Sequence, residues 1–579
     1  MLPFSQSVLC DLPFQLLPQR VHSVAAIEKL LGWQRNFTEA LQGAPTFAVI
    51  SATSSASIEL QQSIAVQSAP ALSAAFGSDL LIPEQLERAA TADFTVFASP
   101  NAILHPSALF VLMKEVIHGA QAEKLADIFY GNELSLHQDG SATYFRKEQI
   151  SPDAACVGSR YTQLAVNYFE SFVVLSRRAI ALILRNDREG LRMLSQVSPK
   201  LLPLALAQLA LKQQCSVRHI PLGLSCVRIV PPDAEEIQAR WKLAEQMAHQ
   251  LGFTVDAGKD CRRETIWNER LFLSNTPADS GGKIQIVIPF RDQMGFTIKC
   301  LQSLLSQTVV RDLDVTLVDN NSTPESLAEL EAFISATAMP FSSLSIVTDR
   351  EYFNFARLNN FGAGQRNTPF ILFLNNDVEV SKPNSLAVLR AWCALPDVAL
   401  VGGLLRYPSG ETQHAGINFS PFGPLNLSLP EHSTLFPREV NGVTFAMAMA
   451  KRCALEEVGG LDELQCPNGF GDALLGFELV KRGQRIVFTP EATGVHHESA
   501  SRGASPEEIE RYEMVRAGLS IPCHFEDFQV VAQPMFIKPH ALSASPVYSF
   551  AKRLAGNQRV RHALLGGIRR IDRLLPKAK

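Results

Sequence analysis

The stretch Ile371-Leu372-Phe373-Leu374-Asn375-Asn376-Asp377-Val378-Glu379-Val380 decides the fold. Four apolar residues run into two Asn and one Asp, which reads as a buried parallel strand delivering a carboxylate to its C-terminal end. In open α/β sheets, ligands bind outside those strand ends. A carboxylate held there can carry a divalent cation, and the cation a diphosphate. The plain alternative is a strand closing in a solvated Asn-Asn-Asp turn, since turns favour these residues.

Working outward, Ile284–Asp292 is a short buried strand closed by Pro289, and a helix is expected over 295–307 from Phe296, Cys300, Leu301, Leu304 and Leu305. Val315–Asp319 is the next strand, followed by a helix over 324–336, a strand over 344–347 and a helix over 355–366. This alternation predicts a doubly wound, mainly parallel α/β sheet. Right-handed crossovers then bring the strand ends at 289–292, 319–322 and 375–377 to one crevice. No G-x-G-x-x-G or G-x-x-x-x-G-K-[ST] follows the first strand, which argues against Rossmann and P-loop phosphate binding. A carboxylate with a metal is the other way to hold a diphosphate.

Further on, Asp472 sits at a Gly-rich helix entry (Gly469-Phe470-Gly471-Asp472). The helix N-terminus is expected to keep it ionised and available as a base, a plain cap being the alternative. His496 and His497 are adjacent on a strand, so only one of them can face the crevice.

The first half also reads as α/β. Phe47–Ser55 and Asp93–Ala102 are strand-to-turn units, with a helix over 107–126 and a strand over 168–175. The second unit echoes 371–377 but offers Ser99, Pro100 and Asn101 in place of Asn375, Asn376 and Asp377. A helix over 232–252 and a polar segment ending in Asp279-Ser280-Gly281-Gly282 separate the halves. The expected division is 1–230, a helical linker at 231–282, a catalytic unit at 283–503 and an extension at 504–579.

The chain has 579 residues, of which 46% are hydrophobic and 19% charged, so it is globular and long enough for several domains. A net charge of −4 excludes a nucleic-acid-binding surface overall. Ten Cys without metal spacing point to reduced thiols. With no basic-then-apolar leader and no spanning apolar run, the expected place is the cytoplasm. Residues 551–579 carry Lys552, Arg553, Arg559, Arg561, Arg569, Arg570, Arg573, Lys577 and Lys579 against Asp572. With Val560, Leu564, Ile568, Ile571 and Leu575 on one helical face, this segment suits an anionic membrane surface, at the inner face of the membrane, or docking on its own protein.

Residues 283–503 resemble family 2 of the glycosyltransferases, the inverting GT-A fold, in its bacterial O-antigen, capsule and rhamnose-polysaccharide subgroup. The segments that carry the resemblance are IVIPFRD (286–292), CLQSLLSQT (300–308), VDNNS (318–322), FNFARLNNFGA (353–363), FLNNDVEV (373–380), VGGLLRYPSGETQHAGI (401–417), VGGLDE (458–463), FGD (470–472) and HHESASRG (496–503). The resemblance implies a nucleotide-sugar donor (UDP-, dTDP- or GDP-linked) and a glycan or lipid-linked glycan acceptor. Pro289, Asp292 and Asp319 would border the base and ribose, and Asn354, Asn359, Asn360 and Asn376 would lie along the donor. Asp377 would bind the metal–diphosphate, with Mg²⁺ or Mn²⁺ as cofactor. His496, or in its place His497, would be the second ligand, and Asp472 the base.

The chain departs from the family around the acceptor. Leu474 replaces an expected acid, Glu478 an expected Arg, and Asn441-Gly442-Val443 an expected Thr-Gly-Ala. The N-terminal half resembles a decayed copy of the same fold, through DFTVFASPNAILHPSAL (93–109), DIFYGNELSLHQDG (127–140) and FRKEQISPD (145–153). The segment before residue 93 is short for a nucleotide-binding half. The expected function is metal-dependent sugar transfer. The rivals are a sugar nucleotidyltransferase, which would want a Gly-rich, Arg-containing loop after the first strand, and a glycan-binding scaffold with two inactive domains.

Overall fold

The computed structural model describes residues 44–51, 58–65, 73–76, 92–123, 125–136, 142–145, 171–194, 199–228, 277–420, 423–426, 437–497 and 536–537, with isolated positions between these segments. The basic segment 551–579 and most of the expected helix over 232–252 lie outside the described residues.

In the first half, β1 (Phe47–Ser51), β2 (Ser73–Phe76), β3 (Phe94–Ala98), β4 (Ala102–Leu104) and β5 (Ile128–Leu136) come first in sequence. They are followed by β6 (Ala142–Phe145), β7 (Phe172–Ser176) and β8 (Val217–Arg228). In the second half come β9 (Ile284–Phe290), β10 (Leu313–Asp319), β11 (Ser343–Thr348), β12 (Phe370–Leu374), β13 (Val378–Val380), β14 (Val398–Arg406) and β15 (Thr412–His414). A hairpin of β16 (Ile417–Ser420) and β17 (Gly423–Asn426) follows, then β18 (Arg438–Val440), β19 (Met447–Lys451) and β20 (Arg485–His496). A short β21 (Phe536–Ile537) returns to pair with β6.

The second sheet has ten strands in the order β11-β10-β9-β12-β19-β14-β20-β13, with β15 on β14 and β18 on β20. Its first half is parallel, as expected. The whole is mixed rather than mainly parallel, because β19 runs antiparallel to both β12 and β14. The strands are buried on both faces: Ile286, Ile288 and Leu317 point to one core and Val287, Val318 and Ile371 to the other. That accounts for near-continuous apolar runs instead of alternation.

Helices cover the sheet close to the expected spans. Met294–Leu305 and Phe355–Ala363 stop short of their predicted ends, and Pro324–Ala336 matches. Thr323 caps the last of these by accepting from the Ser326 N–H, and Pro324 fills its first turn. Gly362 lets Phe355–Ala363 lie against β9, since a Cβ there would stand 2.4 Å from Val287 Cγ1.

The strand order and pairing senses of the first sheet parallel those of part of the second. Its strands run β2-β1-β3-β7-β5-β8-β4, with β6 on β5. Each pairing has the sense of its counterpart: β1 is parallel to β2 and β3, β7 antiparallel to β3 and β5, β8 parallel to β5, and β4 antiparallel to β8. Helices Ala108–Gln121, Arg177–Asn186 and Leu202–Lys212 occupy the chain positions of Ser385–Cys393, Arg452–Glu457 and Gly471–Lys481. The predicted strand at 168–175 is β7, shifted to Phe172–Ser176.

A buried charged junction links the halves. Arg485 pairs with Asp397 (3.0 Å) and Glu439 (2.6 Å), while Tyr161 donates its N–H to Glu439 (2.6 Å) and its hydroxyl to Asp397. Tyr161 also packs edge-on against Trp392, with ring centres 5.6 Å apart. The end of the expected linker is pinned, because Arg390 forks onto Asp279 at 2.9 and 2.7 Å.

Candidate active site

The ten-residue stretch folds as two strands and a turn. β12 ends at Leu374, Asn375–Asp377 form the turn, and β13 begins at Val378. The turn is held by its own backbone: Asn375 N donates to Ala446 O (3.0 Å) and Val378 N to Asn375 O (3.2 Å). Asn376 is fixed from below, its amide donating to the Thr297 hydroxyl at 3.1 Å. Asp377 is 7% exposed and faces the end of β20.

His496 Nε2 lies 3.2 Å from Asp377 Oδ1. The ring's other nitrogen, Nδ1, is 2.7 Å from Gln413 Oε1. An amide oxygen only accepts, so Nδ1 carries the proton. In the neutral ring the Nε2 lone pair then faces both the Asn375 amide, a long contact of 3.4 Å, and a carboxylate oxygen, and a cation between nitrogen and carboxylate would relieve the opposition of those two. Imidazole and carboxylate with an orienting amide behind the His form a donor set that fits a divalent metal. Among the described residues no group of three or more His, Cys, Asp or Glu could hold a metal ion. The pair therefore suits a cation that takes its remaining ligands from phosphate oxygens and water. His497 turns the other way, as strand alternation requires, and meets Glu379 at 2.7 Å.

Asp472 lies in the first turn of Gly471–Lys481, half-buried. The expectation that the helix N-terminus keeps its acidity is corrected. Burial pushes its pKa above the ordinary carboxylate value, against hydrogen bonds from Ala473 N–H (2.8 Å), the Thr444 hydroxyl and the Phe445 backbone. Loss of hydration outweighs the dipole and these donors. Gly476, one turn on, lets this helix pack on Asn441, since a Cβ there would stand 2.3 Å from the Asn441 carbonyl oxygen. Glu478, where the family has Arg, is engaged with Lys481 (3.2 Å) and Arg482 (2.7 Å).

The other predicted residues divide. Asp292 and Asp319 meet the same turn: Asp292 Oδ1 accepts from Thr323 N–H (2.8 Å) and Asp319 Oδ1 from Ser322 N–H (2.9 Å). The Thr323 N–H holds the Asp292 carboxyl below its usual range. Asp292 and Gln293 both have left-handed backbone, with φ of 49° and 50°, in a loop at the strand end. Pro289 is buried within β9, which runs one residue past it.

Asn354, Asn359 and Asn360 bond within the fold. Asn354 caps Phe355–Ala363 through Arg357 N–H (2.9 Å) and donates to Glu463 O (3.0 Å). Asn360 donates to Leu461 O and Glu463 Oε1, both at 2.8 Å, and Asn359 is 1% exposed and donates to Phe355 O at 2.8 Å. The Asn354 and Asn360 amides fasten the loop before Asp472 to the helix Phe355–Ala363. Gln413, His414 and Thr444 were missed as site residues. The only signal for the first two was the Gln-His pair inside the 401–417 segment.

Residues 285–459 match the family model "Glycosyl transferase family 2". The chain carries a family 2 glycosyltransferase domain. That domain spans the Asp377 turn; Asp472, on the helix Gly471–Lys481, and His496, at the end of β20, follow it in the chain. The O-antigen biosynthesis protein RfbC of Myxococcus xanthus is 31% identical over 438 residues, which cover 71% of this chain and 31% of that protein. An uncharacterized protein, y4gI, of Sinorhizobium fredii (strain NBRC 101917 / NGR234) is 32% identical over 247 residues, covering 41% of this chain and 27% of that one. The chain thus spans under a third of the length of these relatives. Among solved structures, GalNAc-T7 with UDP, GalNAc and Mn²⁺ is similar over 40% of this chain and 47% of that one, with a TM-score of 0.33 and 14% identity. A mannosyltransferase from Pyrobaculum calidifontis with GDP-Man and Mn²⁺ is similar over 56% and 94%, with a TM-score of 0.32 and 13% identity. No helix among the described residues is long and apolar enough to cross a membrane.

Proposed function

We propose that residues 283–503 transfer a sugar, with inversion, from a nucleotide-diphosphate donor to a hydroxyl of a bacterial surface glycan. The observation that carries this is the contact of Asp377 with a His496 whose other nitrogen is committed to Gln413. Asp377 and His496 would hold Mg²⁺ or Mn²⁺, and the bound ion would neutralise charge on the leaving diphosphate. Asp472 takes the proton of the acceptor hydroxyl. The oxygen attacks the anomeric carbon opposite the diphosphate, the new C–O bond forms, and the bonding pair of the old one leaves with the diphosphate. The raised pKa of Asp472 supports the role, because a stronger base takes up the hydroxyl proton more readily. The relationship to an O-antigen biosynthesis protein supports a surface-glycan acceptor.

The N-terminal unit is read as a second copy without chemistry. The turn Ser99–Asn101 sits between β3 and β4 as Asn375–Asp377 sits between β12 and β13. Its backbone bonds recur: Ser99 N to Ser171 O (2.8 Å), Ala102 N to Ser99 O (3.0 Å) and Arg228 N to Asn101 O (3.2 Å), beside His497 N to Asp377 O (3.0 Å) in the second unit. By register, Ala102 faces Val227 as Val378 faces His496. Asn101 and Val227 therefore stand where Asp377 and His496 stand, and neither replaces the metal pair. This supports a scaffolding or glycan-holding role for that unit.

The test is a panel of UDP-, dTDP- and GDP-sugars, scored by thermal shift and by donor turnover with and without Mn²⁺. Metal-dependent turnover of one donor is expected. Absence of turnover with every donor would favour the scaffold reading for the whole chain.

A further inference from the structure

Gln413 and His414 are neighbours on the short strand β15, and strand geometry sends their side chains to opposite faces. Gln413 meets His496 Nδ1 at 2.7 Å. His414 accepts the Thr444 N–H on Nε2 at 3.2 Å. Thr444 in turn places its hydroxyl on the Asp472 carboxylate. Both side chains are buried, at 8% and 1% exposure.

The strand itself is rigidly held. β15 pairs with β14 next to a register shift between Leu405 and Arg406. Arg438 donates to the Ala415 carbonyl at 2.8 Å. The chain then turns at Gly416 with φ 108°, where a Cβ would stand 2.6 Å from Val440 Cγ1, so only glycine fits. One clamped strand thus reaches the His beside Asp377 with one residue and the segment that holds Asp472 with the next.

We propose that Gln413 and His414 are positioning residues that set the two sides of the reaction from a single element. Gln413 fixes the ring orientation and tautomer of His496 on the leaving-group side. His414 fixes Thr444, and through it Asp472, on the acceptor side. The inference rests on the sugar-transfer reading above. It adds that the two sides are built on one rigid part and that each can be loosened without the other.

The experiment uses the full chain with Gln413→Leu, Gln413→Glu, His414→Phe and His414→Gln. Binding of Mn²⁺ alone is followed by electron paramagnetic resonance, and kcat and donor KM are followed in transfer. Loss of an orienting partner behind a metal ligand costs roughly 10- to 100-fold in metal affinity. Gln413→Leu should therefore weaken Mn²⁺ binding by about that factor, and Gln413→Glu, which keeps an acceptor for Nδ1–H, should restore it. His414→Phe should leave Mn²⁺ binding as in the wild type and lower kcat with donor KM held. His414→Gln, which can still accept from Thr444, should recover part of the kcat. Circular dichroism melting of each variant identifies any that fails to fold, and the Glu and Gln variants then carry the comparison. The proposal is overturned if Gln413→Leu binds Mn²⁺ like the wild type, or if both apolar variants lose metal binding and kcat together. If the wild type turns over no donor, the sugar-transfer reading falls, while the Mn²⁺ titration still decides the Gln413 half.

Discussion

His496 Nε2 stands 3.2 Å from Asp377 Oδ1 across the join of β13 and β20, two strands that pair Val378 with His496. The contact is set by backbone register, because Asp377 immediately precedes Val378. In the first unit the same register joins Ala102 to Val227. The chain should therefore bind one Mn²⁺, not two. Titration followed by electron paramagnetic resonance should give one site per chain, abolished by Asp377→Ala and unaffected by Asn101→Ala. A second equivalent site, or a site that survives Asp377→Ala, would contradict the assignment.

Asp472 links catalysis to stability. Burial raises its pKa in the folded chain above the unfolded value. The stability it contributes is thus full below the unfolded pKa and is lost as pH rises through the folded one. At pH 7, well above the unfolded value, that stability is lost in part, so Asp472→Asn should raise the melting temperature there, and the gain should shrink as pH is lowered into the carboxylate range. Calorimetry across a pH series checks this. A gain that does not change with pH would mean the effect has nothing to do with ionisation. Transfer by the wild type should fail on its acid limb above the ordinary Asp value of 3.8.

The junction of the halves should be intolerant of change at Arg485. Burial alone would lower its pKa, but Glu439 and Asp397 raise it, so it stays charged between two carboxylates. Removing one partner of a buried ion pair costs about 3–5 kcal/mol. Arg485→Met should lose stability on that scale in denaturant unfolding, and a loss under about 1 kcal/mol would place the junction among weak surface pairs.

Two glycines should respond with opposite sign. Gly476→Ala forces a Cβ to 2.3 Å from backbone at Asn441 and should cost about 1–3 kcal/mol, with loss of turnover as the Asp472 helix is displaced. Gly295→Ala, in the helix Met294–Leu305, meets nothing within 4 Å and should stabilise by about 0.4–1 kcal/mol. Melting temperatures of the pair decide it; equal shifts would mean that close packing at Gly476 does not govern the helix.

Much of this was legible in the sequence because it depends on local pattern. The apolar run 371–374 followed by Asn-Asn-Asp located the turn between β12 and β13, and the run 94–98 followed by Ser-Pro-Asn located the one between β3 and β4. Adjacent His on a strand foretold that the His496 and His497 rings would part, the first to the Asp377 carboxylate and the second to Glu379. What was not legible depends on partners distant in sequence. Burial of Asp472 comes from its packing against residues 441–445, some thirty positions earlier, so the helix N-terminus alone gave the wrong direction for its pKa. Gln413 became a site residue only because β15 lies beside β14 and thereby reaches His496. The partners of the Asn354 and Asn360 amides, Leu461 and Glu463, lie about a hundred positions further along the chain.

The most direct measurement compares donor turnover and Mn²⁺ binding for the wild type and Asp472→Asn, using the donor found in the nucleotide-sugar panel. General-base assistance is worth about 10²- to 10⁴-fold, so Asp472→Asn should lose transfer by that factor while binding Mn²⁺ and donor as the wild type does. Full transfer by Asp472→Asn would contradict the account.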